Sequence, residues 1–339
     1  MSTGGSRRGE GPPIHLWTYN HAPYRISDQV DYFTRAFRQH GYQTSTGRSP
    51  SDSALNVVIE NFSVRTRKTL IDFCTRTRKR VAVIMTEPID FVDRQILIHG
   101  EPLWTANDYM QPAIQVERLQ CLMSCRPHIR FFMVLGDLPQ LQNFAGMMPG
   151  FDLRAIAFPA LDRAVAGGDA PAQPKHDLLF TGAATEYRET LLQSVRSLGL
   201  SVDAPFGFAS PEARDRLNRS ARIVLNLPQR ESWRWLSLMR VIAALRCGRA
   251  TVSLGTGDKS AIAAATYQLD LRDAGWRDRL KACVGDYDRS YARAYEGYCR
   301  LAADFEAQNP FPHDLIEYWA ITDGVRATQN PGVQGSSRE

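Results

Sequence analysis

Arg234, Ser237 and Arg240 stand three apart on a segment that is otherwise apolar. Trp235, Leu238, Met239 and Ile242 fall on the spacing of one helix face beside them. A guanidinium at the edge of a buried helix needs an anion, because an unpaired buried charge costs on the order of several kcal/mol. That anion is either an internal Asp or Glu or a bound phosphate, for which Arg offers a fixed fork of donors. A second set of residues able to exchange protons follows expected strands: His21 after IHLWT, Glu87 and Asp90 after VAVIM, and Asp137 after FFMVLG. Each could take a proton from a hydroxyl, and each could instead settle a turn or cap the next helix.

The elements that must position these groups alternate along the chain. Strands are expected at 14–18, 55–60, 81–85, 131–135 and 154–158. Helices are expected at 28–40, 64–78, about 110–125, and after Asp137 on Leu138, Leu141 and Phe144. From Pro159 to Lys175 the chain turns small and polar, as a linker does. The alternation then restarts: strand 177–181, the turn Gly182-Ala183-Ala184, helix 186–198, strand 201–203 and a helix capped by Ser210-Pro211. Ile223-Val224-Leu225 is a strand buried on both faces, followed by a polar loop, a helix over 234–246 and a strand from Ala250. Helices at 260–265, 286–306 and 313–320 complete the list.

This pattern implies an α/β protein of two Rossmann-like domains facing a central cleft. The boundaries expected are a disordered tail to 13, a first domain over 14–160, a linker over 161–176 and a second domain over 177–308. A terminal helix at 309–326 crosses back, and a second disordered tail covers 327–339.

Composition narrows the class further. The 339 residues are 43% hydrophobic and 23% charged, an ordinary globular balance, and the net charge is +5. The densest basic run, Arg76-Thr77-Arg78-Lys79-Arg80, ends a helical segment, where cations suit the helix dipole; the other reading is an anion or membrane-surface patch. Nucleic acid is not expected as a partner, and membrane contact is expected to be peripheral at most. The six cysteines are scattered, and Cys121 and Cys125 have no second pair, so reduced thiols in a cytoplasmic protein are expected and zinc is not. Trp17, Tyr19, Tyr24 and Trp104 could stack on a ligand or simply fill the core. No G-x-G-x-x-G follows a first strand, which speaks against a dinucleotide oxidoreductase.

Three pieces of the second half carry a resemblance: DLLFTGAATEYRETLL, ARIVLNLP and MRVIAALRCGRATVS. They resemble the nucleotide-binding domain of GT-B glycosyltransferases, nearest the family 1 type found with spore-maturation (CgeB-like) and polysaccharide-synthesis proteins. The likeness covers about Asp177 to Ser253; the first half is similar in architecture only. It implies a transferase moving a sugar from a nucleoside-diphosphate donor to a hydroxyl on a glycan, lipid-linked or small-molecule acceptor, with no cofactor and no metal. It further implies that Thr181, Gly182 and Arg188 meet the donor diphosphate with Arg240 approaching it, and Asn226 is expected beside them; the base that serves the acceptor is expected among His21, Glu87 and Asp137. His21 resembles the His that several inverting enzymes carry after the first strand. Where retaining members place a Glu pair, this chain has Trp235 and Ala243, so inverting transfer is preferred, and Glu231 is left to reach a ribose or sugar hydroxyl. A degenerate binding or scaffold protein and a nucleotide-sugar epimerase are the alternatives.

Overall fold

The computed structural model describes residues 11–22, 25–87, 89–103, 111–137, 152–163, 174–205, 210–233 and 235–326, together with 143, 150 and 207. Two parallel sheets form the chain. The first runs in the order β2-β1-β3-β4-β8-β9. Its strands are β1 (Ile14–Trp17), β2 (Thr44–Gly47), β3 (Leu55–Ile59), β4 (Val81–Met85), β8 (Ile129–Leu135) and β9 (Leu153–Ile156). The second runs β11-β10-β12-β13-β14. Its strands are β10 (His176–Leu179), β11 (Val202–Asp203), β12 (Ala221–Asn226), β13 (Ala250–Leu254) and β14 (Tyr267–Leu269). Every pairing within both sheets is parallel. LNVVI and VAVIM are buried at every position, as central strands covered on both faces must be.

The helices fall where apolar periodicity and caps place them. They are α1 (Ser27–Gln39), α2 (Val64–Thr77), α3 (Pro112–Ser124), α4 (Glu186–Arg196), α5 (Pro211–Ser220), α6 (Leu238–Arg246), α7 (Trp276–Gly285), α8 (Tyr287–Gln308) and α9 (His313–Asp323). Ser63 and Thr66 close a capping box on α2, and Thr185 and Ser210 cap α4 and α5.

Several expectations are corrected. The helix expected from Arg234 begins only at Leu238, and Arg234 itself lies outside the described residues. The segment 260–265 is a 3-10 turn. Two stretches for which no element was expected hold structure: the polar edge strand β2, and a three-stranded antiparallel unit of β5 (Ile89–Val92), β6 (Gln95–Ile98) and β7 (Glu101–Pro102). Its two-residue turns are Asp93-Arg94 and His99-Gly100, all at positive φ, the primed-turn geometry that suits the twist of a hairpin. The expected helix on Leu138, Leu141 and Phe144, both tails except 11–13, Tyr24, Trp104 and most of the linker fall outside the described residues.

The tyrosines of α8 do more than pack their own half. Tyr295 and Tyr298 donate to the carbonyls of Leu161 and Pro159, 2.6 and 2.7 Å away. Phe158, at the end of β9, meets Tyr298 and Phe305 edge-on. Past α8 the chain returns to the first sheet, where Trp319 packs edge-on against Phe131 and His313 stacks on Tyr42.

Candidate functional site

In a 2-1-3-4-5 sheet the chain leaves the first strand in one direction and the third in the other, which opens a crevice at their carboxyl ends. In the second sheet that crevice lies between β10 and β12. Thr181 and Gly182 follow β10, Asn226 ends β12, and Ser237 stands at the start of α6. A cavity of about 540 Å³ occupies the crevice, lined by these second-lobe residues except Asn226, by Arg214 and Arg240, and by Arg25 and Asp28 of the first lobe.

Arg240 is held at the wall by neutral groups. It donates to Asn226 Oδ1 at 2.8 Å and to the Thr181 carbonyl at 2.7 Å, and its guanidinium lies 5.2 Å from the Phe180 ring centre. Asn226 in turn bridges to the backbone of Ser237, so the end of β12 and the start of α6 move as one. None of these partners carries a negative charge. Burial, and secondarily the nearby Arg188, lowers the Arg240 pKa to about 9. Gly182 fits closely beside it: a Cβ there would sit 3.0 Å from Phe180 and 3.1 Å from Arg240 Nη2, so one of them would have to shift. Arg214 pairs with Asp28 at 2.6 Å, yet its Nε is buried without an acceptor. Burial raises the pKa of Asp28 against the pull of Arg214. Three arginines and one carboxylate therefore share the cavity wall. Arg25, Arg214 and Asp28 escape sequence reading, because only the folding of α1 and α5 against each other brings them to β10.

Arg188 has a different place. Its Nε and Nη2 donate to the Leu227 carbonyl at 3.1 and 2.8 Å, and Nη1 donates to the Ala183 carbonyl at 3.0 Å. It is 6% exposed and does not line the cavity. Its guanidinium ties the exit of β12 to the Gly182 turn, so it positions the site instead of meeting the donor as expected. Glu231 is exposed and is also away from the cavity lining. Ala243 lines the cavity, and Trp235 packs over Gly100, so both positions expected to lack a Glu are filled by apolar side chains.

At the matching crevice of the first sheet, between β1 and β3, the described polar groups bond to one another. Asn20 donates to the Ile59 carbonyl at 2.6 Å and Asn61 donates to the Asn20 carbonyl at 3.0 Å. Glu60, 3% exposed, pairs with Arg118 of α3. Burial raises the Glu60 pKa, and Arg118 opposes that shift. His21 donates from Nε2 to the Ile59 carbonyl at 3.3 Å, and burial lowers its pKa to about 4, so it is neutral but a weak base. Glu87 bonds His99 at 3.1 Å; burial would raise its pKa, but the His99 bond and charge hold it below the ordinary value. Asp90 accepts from the Asn143 backbone and side chain. Asp137 accepts from the Ala261 backbone N–H with both oxygens, 3.1 and 3.0 Å away, capping the 3-10 turn of the other lobe. The three acid–base candidates are thus in hydrogen bonds away from the cavity lining. Trp17 is buried and stacks on Tyr19, whose hydroxyl donates to the Thr66 carbonyl, so both belong to the core.

The two lobes meet at the hairpin unit. His99 stacks on Trp233 at 4.0 Å, Arg230 pairs with Glu101 at 2.8 Å, and Ser232 bonds the same carboxylate. Among the described residues, no group of three or more His, Cys, Asp or Glu is placed to hold a metal ion, and no helix is long and apolar enough to cross a membrane. Cys299 is exposed and the other five cysteines are buried thiols.

No family model and no curated protein matches the chain. Similar solved structures include T4 phage BGT in complex with its UDP-glucose substrate, at 11% identity, covering 88% of this chain and 100% of that one, TM-score 0.48. An α-glucosyltransferase with UDP and a 13-mer DNA containing an HMU base is similar at 11% identity, over 91% and 100% of the two chains, TM-score 0.48. The spinosyn rhamnosyltransferase SpnG with thymidine diphosphate shares 11% identity over 90% and 99%, TM-score 0.36.

Proposed function

We propose that the chain is a glycosyltransferase that takes a sugar from a nucleoside-diphosphate donor held in the β10–β12 crevice. The observation that carries this is Arg240: a buried guanidinium, bonded only to an amide oxygen and a carbonyl, on the wall of a cavity at a topological switch point. A diphosphate supplies the missing charge, and Gly182 keeps the backbone close enough for its approach. The resemblance of Asp177–Ser253 to the donor domain of the family 1, spore-maturation type supports the same site.

The leaving group gains charge as the glycosidic bond breaks, and Arg240 with Arg214 is preorganised to stabilise it without a metal. Asp28 is the carboxylate on the cavity wall and reaches it from the lobe expected to hold the acceptor. Its raised pKa suits proton acceptance once Arg214 turns to the phosphates. Inverting transfer fits this arrangement, as does a cytoplasmic role in glycan or polysaccharide synthesis. A binding protein without turnover is the second reading, favoured by one observation: the α6 position at the cavity is Ala243, which has no chemistry.

Thermal shift with UDP, GDP, dTDP and ADP tests the proposal. At least one should stabilise the native chain by mass action, and Arg240→Met should reduce the shift. No shift with any of the four overturns it. If a nucleotide binds, donor-sugar hydrolysis by the parent and by Asp28→Asn separates the two readings: no hydrolysis and no transfer by the parent leaves the binding protein.

A further inference from the structure

The loop that joins β12 to α6, residues 227–237, borders the open crevice and delivers Ser237 to the cavity wall. Its ends are held by its own lobe. Arg188 and Thr185 donate to the carbonyls of Leu227 and Gln229, and near the far end the Leu236 N–H donates to Asp258 Oδ2 at 2.7 Å. Ser237 is bridged to Asn226, whose Oδ1 is also the acceptor that braces Arg240.

The middle of the loop is held by the other lobe. Glu101, in β7, spreads its two oxygens: Oε2 accepts from Arg230 at 2.8 Å and Oε1 accepts from the Ser232 hydroxyl. Trp233 is buried in the apolar cluster of the first lobe that holds Ile89, Ile98 and Leu103 around the hairpin unit, and its ring stacks on His99. Trp235 fits against Gly100, where even a methyl group would collide with its ring. Three consecutive residues of the hairpin unit, His99, Gly100 and Glu101, therefore each take hold of this loop. The unit is itself tied down, because His99 bonds Glu87 just past the end of β4. A polar loop has no ladder of its own and depends on such contacts for its shape.

We propose that Glu101 is a positioning residue for nucleoside-diphosphate binding, a role that rests on the β10–β12 cavity being the donor site. Glu101 does not line that cavity. From the first lobe it sets the loop, and through the loop the wall made by Ser237, Asn226 and Arg240. A guanidinium already fixed in its bound geometry loses little freedom when the phosphates arrive, and one whose brace drifts must be ordered by the ligand. The donor site is in this sense assembled by both lobes, although its cationic wall belongs mostly to one.

Calorimetric titration of the full chain with UDP, GDP, dTDP and ADP, at a temperature where every variant is folded, tests it. For whichever nucleotide the parent binds, Glu101→Ala should raise Kd roughly 5- to 30-fold, within the usual range for coupling between separate sites. Glu101→Gln keeps one acceptor oxygen for two donors and should raise Kd roughly 2- to 5-fold. Being isosteric, it also serves if the alanine variant does not fold. In an Arg240→Met background, Glu101→Ala should add less than about twofold, because the brace then holds nothing that meets the phosphates. An unchanged Kd in the Glu101 variants overturns the proposal while leaving the donor site in place. An equal loss with and without Arg240 also overturns it, since Glu101 would then act on the fold alone. A parent that binds none of the four nucleotides defeats the donor-site reading first and the proposal with it.

Discussion

The two sheets end in crevices of the same topological kind, and the chain treats them in opposite ways. In the first, Asn20, Glu60 and Arg118 close the gap with internal bonds, and the charge of Glu60 is met by a residue of the same lobe. In the second, Arg240 is braced by Asn226 and Thr181 but is given no anion, and the gap stays open. A switch point thus supplies geometry only. Whether it becomes a site is decided by whether the fold completes the electrostatics or leaves them for a ligand to complete.

The largest effect expected from breaking this contrast lies in the closed crevice. Arg118→Ala leaves the Glu60 carboxylate buried and unpaired and should cost about 3–5 kcal/mol of stability. Urea denaturation would measure it, and a second change, Glu60→Gln, should recover most of the loss. If Arg118→Ala is neutral, the first crevice is not closed by that pair.

In the open crevice the order reverses. Arg240→Met should cost the unliganded chain less than Arg118→Ala does, about 1–2 kcal/mol, since it orphans the Asn226 oxygen and the Thr181 carbonyl but no carboxylate. It should cost a bound nucleoside diphosphate about 1.5–3 kcal/mol, read by calorimetry, as expected for hydrogen bonds to a charged group. A loss of stability without any loss of binding would make Arg240 a structural residue like Arg188.

Coupling between the lobes is a smaller matter. Gly100 has φ 77°, and a Cβ there would meet the Trp235 ring at 2.2 Å. Gly100→Ala should therefore cost about 1–3 kcal/mol through overpacking and left-handed strain. Thermal melting would show it, and Trp235→Ala in the same chain should relieve the overpacking part.

The smallest effect sharpens the charge argument. The folded pKa of Arg240, about 9, lies below the ordinary guanidinium value, so the cation is present below that pH and is lost above it. Nucleotide affinity should be flat from pH 7 to 8, fall about twofold by pH 9 and then decline by up to tenfold per further unit. Flat affinity to pH 10.5 would mean that the phosphates rest on other groups.

The central strands LNVVI, VAVIM and ARIVLN were legible because short apolar runs rich in Val and Ile, bounded by turn residues, suit strands covered on both faces, whereas the polar edge strand TSTG carries no such signal. The hairpin unit was concealed because the Asp93-Arg94 turn lacks the glycine that marks a primed turn, and because β6 and β7 are short. Arg240 was legible from its place on an apolar helix. What distinguishes it from Arg188 was not, since the partners of both are carbonyl and amide oxygens that exist as partners only once β12 and the Gly182 turn have met. Asp28 read as an ordinary first-turn acid of α1 and becomes a cavity residue through contact with α5. His21, Glu87 and Asp137 were located correctly at the strand ends, but strand-end position does not tell a free side chain from one already bonded to its neighbours.

The polypeptide crosses between the lobes twice, once after β9 and again between α8 and α9, and both crossings are fastened, by Tyr295 and Tyr298 at one and by the seat of α9 on the first sheet at the other. The Asp28–Arg214 pair is a further fastening, and it stands on the cavity wall itself, so any ligand that draws Arg214 away also loosens the bond between the lobes.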